Sequence, residues 1–351
     1  MNRNTRLLLT ALAIACGGDK SDLGTSSTDS DIEDVDTDSD IEDVDADTDT
    51  DTDTDTTMPP TRLYATIVSH NEQDTNAGCQ PVLDSAAIWH QNRTETLTFA
   101  RAIVDAGGAY DLQSDFRWIQ QMDLWEDDAE RAETNNQNLL AYLSTQFPGQ
   151  VTVDAHNHDA SHNYADVAKM LADRGVPDSA VVGGFIWSPT EDADWERFRA
   201  PLAGIAYPGT AWNAEILWGG ATLGHKGPDS EASGVWRPAD AANFHSDDPA
   251  GDVVTLGNYI DAKYEVGHGA GIADLLDQIA NGEHPEGVML TVQVFFDQCG
   301  LTQQDTIDVN ALIEMHKADV DAGTLVWATL PEVVSTWRTE YSERAYIANA
   351  P

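Results

Sequence analysis

Positive charge is scarce in this chain. Lys and Arg number 18 against 61 Asp and Glu, a formal net charge of −43 at pH 7 over 351 residues. That balance excludes the basic footprint with which proteins grip nucleic acid, and anionic membrane surfaces would repel it. It suits solubility in salty or cation-rich surroundings instead. Long apolar runs are missing too: the stretch LLLTALAIA at 7–15 falls short of the ~20 residues a membrane-spanning helix needs. No GxGxxG follows the first apolar strand pattern and no GxxxxGK[ST] occurs anywhere, so nucleotide-binding folds lose support. Basic and aromatic residues are both absent from 21–57, where sixteen Asp or Glu occur and DSDIEDVDT is followed at once by DSDIEDVDA.

What is present begins with a leader. Arg3 and Arg6 precede the apolar stretch, and small residues lead to Cys16, the pattern of a secretory signal. Leu12-Ala13-Ile14-Ala15-Cys16 resembles a bacterial lipobox, which implies a signal peptide over 1–15 and a lipid on Cys16. Such a protein would be exported and anchored at the bacterial cell envelope, in the periplasm or at the cell surface. Residues 16–58 then form an acidic tether whose charges repel and which has too little apolar surface to fold. It lacks the turn glycine and terminal Glu of an EF-type calcium loop. One folded unit, 59–351, remains, and 41% hydrophobic residues suffice for its core. It holds Cys79 and Cys299, and in an exported protein these are expected to pair.

Along this unit apolar runs alternate with helical patterns. Strand patterns cover 63–69, 109–115, 151–156, 180–187, 213–218, 234–237, 288–296 and 324–330. Helical patterns cover 95–106, 126–145, 163–175, 271–282, 306–322 and 331–340. Alternation of this kind predicts an α/β fold with a parallel sheet under helices. Seven or eight units in about 290 residues match a distorted (β/α) barrel; a doubly wound open sheet is the alternative.

Polar clusters then fall at strand ends, where α/β folds carry their sites. Ser69-His70-Asn71-Glu72 follows the first strand, Gln113 and Asp115 end the second, DAHNHDASHN (154–163) ends the third, and Arg237 ends the strand at 234–237. His158 and His162 form an H-x3-H pair at a strand-to-helix transition, a spacing that lets two imidazoles meet one divalent metal. Glu72 is the candidate third ligand, His70 a base or a further ligand, and His156 a ligand in reserve. Asp154 and Asp159 are candidates to orient imidazoles. Trp187, Trp212, Trp218 and Trp236, near strand ends, either stack on sugar rings or pack in the core.

The strand, the H-x3-H with serine before its second histidine, and the following helix resemble the metal motif of the polysaccharide deacetylase-like (NodB-homology) superfamily. Ala322-Gly323-Thr-Leu-Val-Trp-Ala-Thr-Leu-Pro-Glu-Val is similar to that family's closing strand and helix, and Val235-Trp236-Arg237-Pro238 to its arginine-proline motif. The resemblance implies a distorted barrel, a zinc-type divalent metal, and hydrolysis of N- or O-acetyl groups on a carbohydrate; with the lipobox and acidic tether, an envelope-anchored monomer is expected. It implies Glu72, His158 and His162 as metal ligands, with His70, Arg237 and Asp159 in catalytic roles. Two departures stand out. The family's adjacent aspartates after the first strand are replaced by Ser69–Glu72, and Phe296-Asp297-Gln298 stands where a late histidine is expected. A catalytically silent sugar-binding lipoprotein fits these losses as well. A glycoside hydrolase would need paired carboxylates, here Glu72 with Asp115 or Glu215.

Overall fold

The computed structural model describes residues 58–73, 85–186, 195–220, 231–261, 271–296 and 299–350. By internal contacts the chain divides into two units, Met1–Asp55 and Thr56–Pro351. The leader, Cys16, the acidic segment to 57, Cys79, Trp187 and Asp297 lie outside the described residues. Cys299 is disulfide-bonded. Among the described residues no helix is long and apolar enough to cross a membrane.

The second unit opens with strand β1 (Arg62–Asn71), helix α1 (Ala86–Asp105), strand β2 (Tyr110–Ser114) and three helices, α2 (Phe116–Trp125), α3 (Asp128–Glu133) and α4 (Leu139–Gln146). Then come β3 (Val151–Ala155), α5 (Tyr164–Ala172), β4 (Val181–Ile186), a 3-10 turn over Trp195–Arg199, and the small hairpin β5 (Leu202–Ala203) with β6 (Ala211–Trp212). Four strands follow: β7 (Ile216–Gly220), β8 (Ser233–Trp236), β9 (Val254–Leu256) and β10 (Tyr259–Asp261). The chain closes with α6 (Ile272–Ala280), β11 (Met289–Phe295), α7 (Gln303–Met315), α8 (Lys317–Asp321), β12 (Leu325–Trp327), α9 (Leu330–Thr339) and β13 (Tyr346–Ala348).

RLYATIVSHN is buried from Leu63 to Asn71. A strand apolar on both sides must be covered on both sides, as in parallel sheets. It therefore lies inside an eleven-stranded sheet, in the order β10-β11-β1-β2-β3-β4-β7-β9-β8-β13 with β12 also against β1. Neighbours run parallel except at β8, which is antiparallel to both β9 and β13. Only Gly257 and Asn258 separate β9 from β10, yet β9 pairs with β7 and β10 with β11, so the sheet curls round on itself. Across the curl, Thr291 Oγ1 donates to Gly257 O at 2.7 Å and Ser233 Oγ to Thr291 O at 2.8 Å.

The curl creates two cores. Outside, Leu63, Ile67 and Leu112 meet Trp89, Phe99 and Trp118 of the covering helices. Inside, Tyr64, Val68, Val181, Ile216 and Phe295 meet Leu330, Val333, Val334 and Trp337 of α9. Burying each such side chain contributes about 1.5–3 kcal/mol.

Two sequence expectations are corrected here. The helix expected at 126–145 is two helices, α3 and α4. Asp127 and Asn138 each cap a new start, and Asn135 and Asn136 take positive φ of 56° and 61° between them. Arg237 is not at the carboxyl end of a parallel strand: β8 runs antiparallel, so its end points toward the amino ends of the others. There Arg237 Nη1 meets Glu343 Oε2 at 2.8 Å and its guanidinium lies 5.0 Å over the Trp337 ring.

Candidate metal centre

Parallel register sets the site. His70 lies beside Gln113 and Gln113 beside Asp154, so alternate positions of β1, β2 and β3 share the inner face. Glu72 and His156 lie just past the ends of β1 and β3, and His156 N extends the pairing by donating to Ser114 O at 3.0 Å. Three imidazoles then converge on one carboxylate oxygen. Glu72 Oε1 is 2.5 Å from His70 Nδ1, 2.8 Å from His156 Nε2 and 3.6 Å from His158 Nε2. The ligand atoms of His70, Glu72 and His156 all lie within 4.8 Å of one another, and all three residues are buried. His158 is the opening: its side chain is 32% exposed.

Hydrogen bonds decide the tautomers. His156 Nδ1 lies 2.6 Å from the Gly183 carbonyl, which can only accept, so Nδ1 carries the proton. Nε2 therefore presents a lone pair to Glu72, and two acceptors 2.8 Å apart require a cation between them. That cation is either a second proton or a metal. The Glu72 carboxyl is pushed up by burial, but the histidines, His156 foremost, outweigh this and hold it well below the carboxylate range. An ionised Glu72 makes His70 Nδ1 the donor, which leaves His70 Nε2 buried without a hydrogen-bond partner. Burial first, then the neighbouring His156, pushes His70 down to about 4.

The walls are apolar. The His70 ring stacks on His156 with centroids 4.0 Å apart and meets Phe295 edge-on at 4.8 Å and Trp218 at 5.7 Å. The sequence signal missed earlier is the glycine pair inside β4. Gly184 has φ +66°, and a Cβ there would come within 2.6 Å of His70 and 2.9 Å of His156. Two glycines in an otherwise apolar strand mark a close approach of side chains from across the sheet, and the register shifts there.

Not every expected residue joins. The loop after β3 is drawn together by Asn157, whose amide donates to the Asp159 and His162 carbonyls. Helix α5 begins only at Tyr164, behind the Asn163 cap. His158 and His162 therefore span a loop and not one helical turn, and the His162 ring lies 3.9 Å from Phe116, stacked at 13°. Asp159 is half-buried and accepts from the Ser161 amide and hydroxyl, which hold its carboxyl low. Asp115 is committed to the Trp118 and Gln73 amides. Glu215 sits before the amino end of β7, 3.5 Å from Arg338, so it faces the other end of the sheet from Glu72. Trp218 and Trp236 are buried, at 2% and 1% exposure, while Trp212 is half-buried.

No family model and no curated protein matches the chain. Among solved structures it is similar to a Parabacteroides distasonis protein provisionally assigned as a glycoside hydrolase/deacetylase. Identity is 10% and the TM-score 0.49, over 80% of this chain and 72% of that one. It is similar also to a 4-alpha-glucanotransferase from Thermococcus litoralis, at 12% identity and TM-score 0.41, over 82% of this chain and 40% of that one. At these identities neither comparison assigns a residue or a reaction to this chain.

Proposed function

We propose that this protein is a metal-dependent hydrolase that removes acetyl groups from a carbohydrate of the cell envelope or its surroundings. The observation that carries the reading is the facing pair of acceptors, Glu72 Oε1 and His156 Nε2, 2.8 Å apart in a buried cluster of imidazoles. A mixed set of imidazole nitrogens and one carboxylate oxygen fits a zinc-type divalent ion. Glu72 and His156 would hold the ion, with His158 on the exposed side. Such an ion supplies a Lewis acid and a bound water with a pKa near 7.

The chain's own groups do the rest. Gly183 O fixes the His156 tautomer, as outer hydrogen bonds do for metal-binding histidines. His70 donates through Nδ1 to Glu72 and so serves as a positioning residue, a different part from the base or further ligand expected of it. Phe295 and Trp218 exclude water beneath it. The acyl carbohydrate would approach past His158, with Asp159 and His162 on the outer loop.

In this reading the curled sheet is a distorted (β/α) barrel, closed where β9 and β10 form one run of chain. Residues 59–351 are the catalytic unit, 1–15 a lipoprotein signal, and 16–58 a tether from lipidated Cys16; the protein works as a monomer at the envelope. Metal analysis of the purified full chain, with acetate release from acetylated chito-oligosaccharide, is the test. One zinc, nickel or cobalt per chain is expected, lost in His156→Ala together with acetate release. A chain that takes up no metal, or keeps it in both His156→Ala and Glu72→Gln, overturns the reading.

A further inference from the structure

Arginines in this protein are mostly paired. Arg93, Arg131, Arg174, Arg199, Arg237 and Arg338 each lie within 4.0 Å of a carboxylate. Arg117 does not. Among the described residues it makes no ion pair, and its Nε is buried without a hydrogen-bond partner. Its guanidinium lies 5.6 Å from the centre of the Phe116 ring. Buried N–H donors are ordinarily matched by acceptors, and a guanidinium carries five N–H groups. In a chain with 61 Asp and Glu, a partly buried arginine without an ion pair is an exception that calls for a cause.

Its place supplies one. Ser114 ends β2 beside Asn71 of β1 and Ala155 of β3, so Arg117 follows the strand ends that carry Glu72 and His156. The Phe116 ring beneath it is also the ring on which His162 stacks, in the loop that carries His158. The nearby carboxylates are committed elsewhere. Asp115 accepts from the Trp118 and Gln73 amides, and Asp159 from the Ser161 amide and hydroxyl. Arg117 helps Ser161 to hold the Asp159 carboxyl low, yet the two do not form an ion pair.

We propose that Arg117 determines specificity at the metal centre by taking the carboxylate of an acidic sugar, a uronate unit of the acylated carbohydrate. The planar fork of a guanidinium matches a carboxylate with two N–H donors, a fit that an ammonium lacks. One guanidinium between two carboxyl groups offsets a single negative charge, which favours a carboxylate over a phosphate ester with nearly two. The inference rests on the proposed hydrolase for the acetyl group, but its binding step needs no metal.

Calorimetry on the full chain with oligogalacturonate tests it, beside the neutral methyl ester of the same oligosaccharide, in about 0.15 M salt to screen the acidic surface. Saturable uronate binding is expected, at least tenfold weaker for the methyl ester and at least tenfold weaker in Arg117→Met. That variant keeps an unbranched stem on Phe116, and the methyl ester leaves the protein unaltered should the variant fail to fold. Arg117→Lys, with the charge but not the fork, should fall between. Acetate release from O-acetylated oligogalacturonate should show a raised KM in Arg117→Met with kcat little changed. Absence of saturable binding, a methyl ester bound as tightly as the uronate, or an Arg117→Met chain that binds like the unaltered one overturns the inference, even where acetylated chito-oligosaccharide is hydrolysed. Binding that depends on Arg117, with no acetate released from either substrate, upholds it and overturns the hydrolase.

Discussion

Two buried polar clusters share β3 and lie two positions apart on its inner face, yet their chemistry is opposite. Around His156, three imidazoles surround one carboxylate, which is held low, and His70 is pushed down to about 4. Around Asp154, two carboxyls face burial with no base between them. Burial first, then like charge, pushes Asp154 well up, and burial pushes Asp111 up as well. The first cluster presents lone pairs that call for a cation; the second keeps a shared proton. One strand thus separates a metal-type site from an acid pair by a rise of about 7 Å. Position along the strand, and not residue type alone, decides the role.

The comparison breaks most sharply at the first cluster. Glu72→Gln should cut acetate release by at least about 100-fold and strip the metal, since loss of even an outer partner of a ligand costs about 10–100-fold. His70→Ala should lower metal affinity within that narrower range, because it removes only the brace on Glu72, and titration with a fluorescent zinc chelator reads the difference. Equal losses in the two variants would make His70 a ligand.

Stability separates the two ends next. Trp337 fills the inner core beside α9, and Trp337→Ala should cost about 3–5 kcal/mol in urea unfolding. Arg237→Met should cost about 1 kcal/mol and leave acetate release unchanged, because the guanidinium covers that ring far from the metal centre. A large loss of activity in Arg237→Met at unchanged stability would restore the catalytic part that its sequence motif implies.

Acidification should act oppositely on the two clusters. In metal-free protein the folded chain binds a proton at His70 only near pH 4, whereas the unfolded chain does so near 6.5. Between those values the unfolded state holds more protons, so stability is lost as pH falls from 6.5 to 4, by up to about 3 kcal/mol. The Asp111–Asp154 pair works in reverse: its folded pKa values are raised above 3.8, so its contribution is full at low pH and is lost as pH rises. Asp154→Asn should therefore gain on the unaltered chain as pH rises above the ordinary carboxylate range, seen as a growing difference in urea midpoints. A gap between the two chains that does not change with pH would mean that the pair shares no proton.

Much of this was legible in the residues. The apolar run at 63–69 marked β1, and polar positions at the ends of β1, β2 and β3 marked the site, because parallel strands end together. What was not legible has physical causes. A two-residue break at Gly257-Asn258 lets one run of chain serve as two strands, too short to show periodicity. The direction of β8 depends on pairing partners far along the chain, and Arg237 was displaced with it. The glycine pair at 183–184 carried information that was read only as a strand interior.

The smallest expected effect bears on the H-x3-H spacing. His162→Ala removes a ring stacked on Phe116, about 0.5–1 kcal/mol of stability, and should leave metal content and acetate release within about twofold. His158→Ala, four residues earlier, should reduce both severely, since its Nε2 approaches Glu72 Oε1 at 3.6 Å. The contrast turns on the loop between them: with α5 starting at Tyr164, no helical turn brings the two rings to one point. If metal content falls as far in His162→Ala as in His158→Ala, the loop held by Asn157 rearranges when the ion binds. The spacing in the sequence would then describe the metal-bound protein, and the stack on Phe116 the metal-free one.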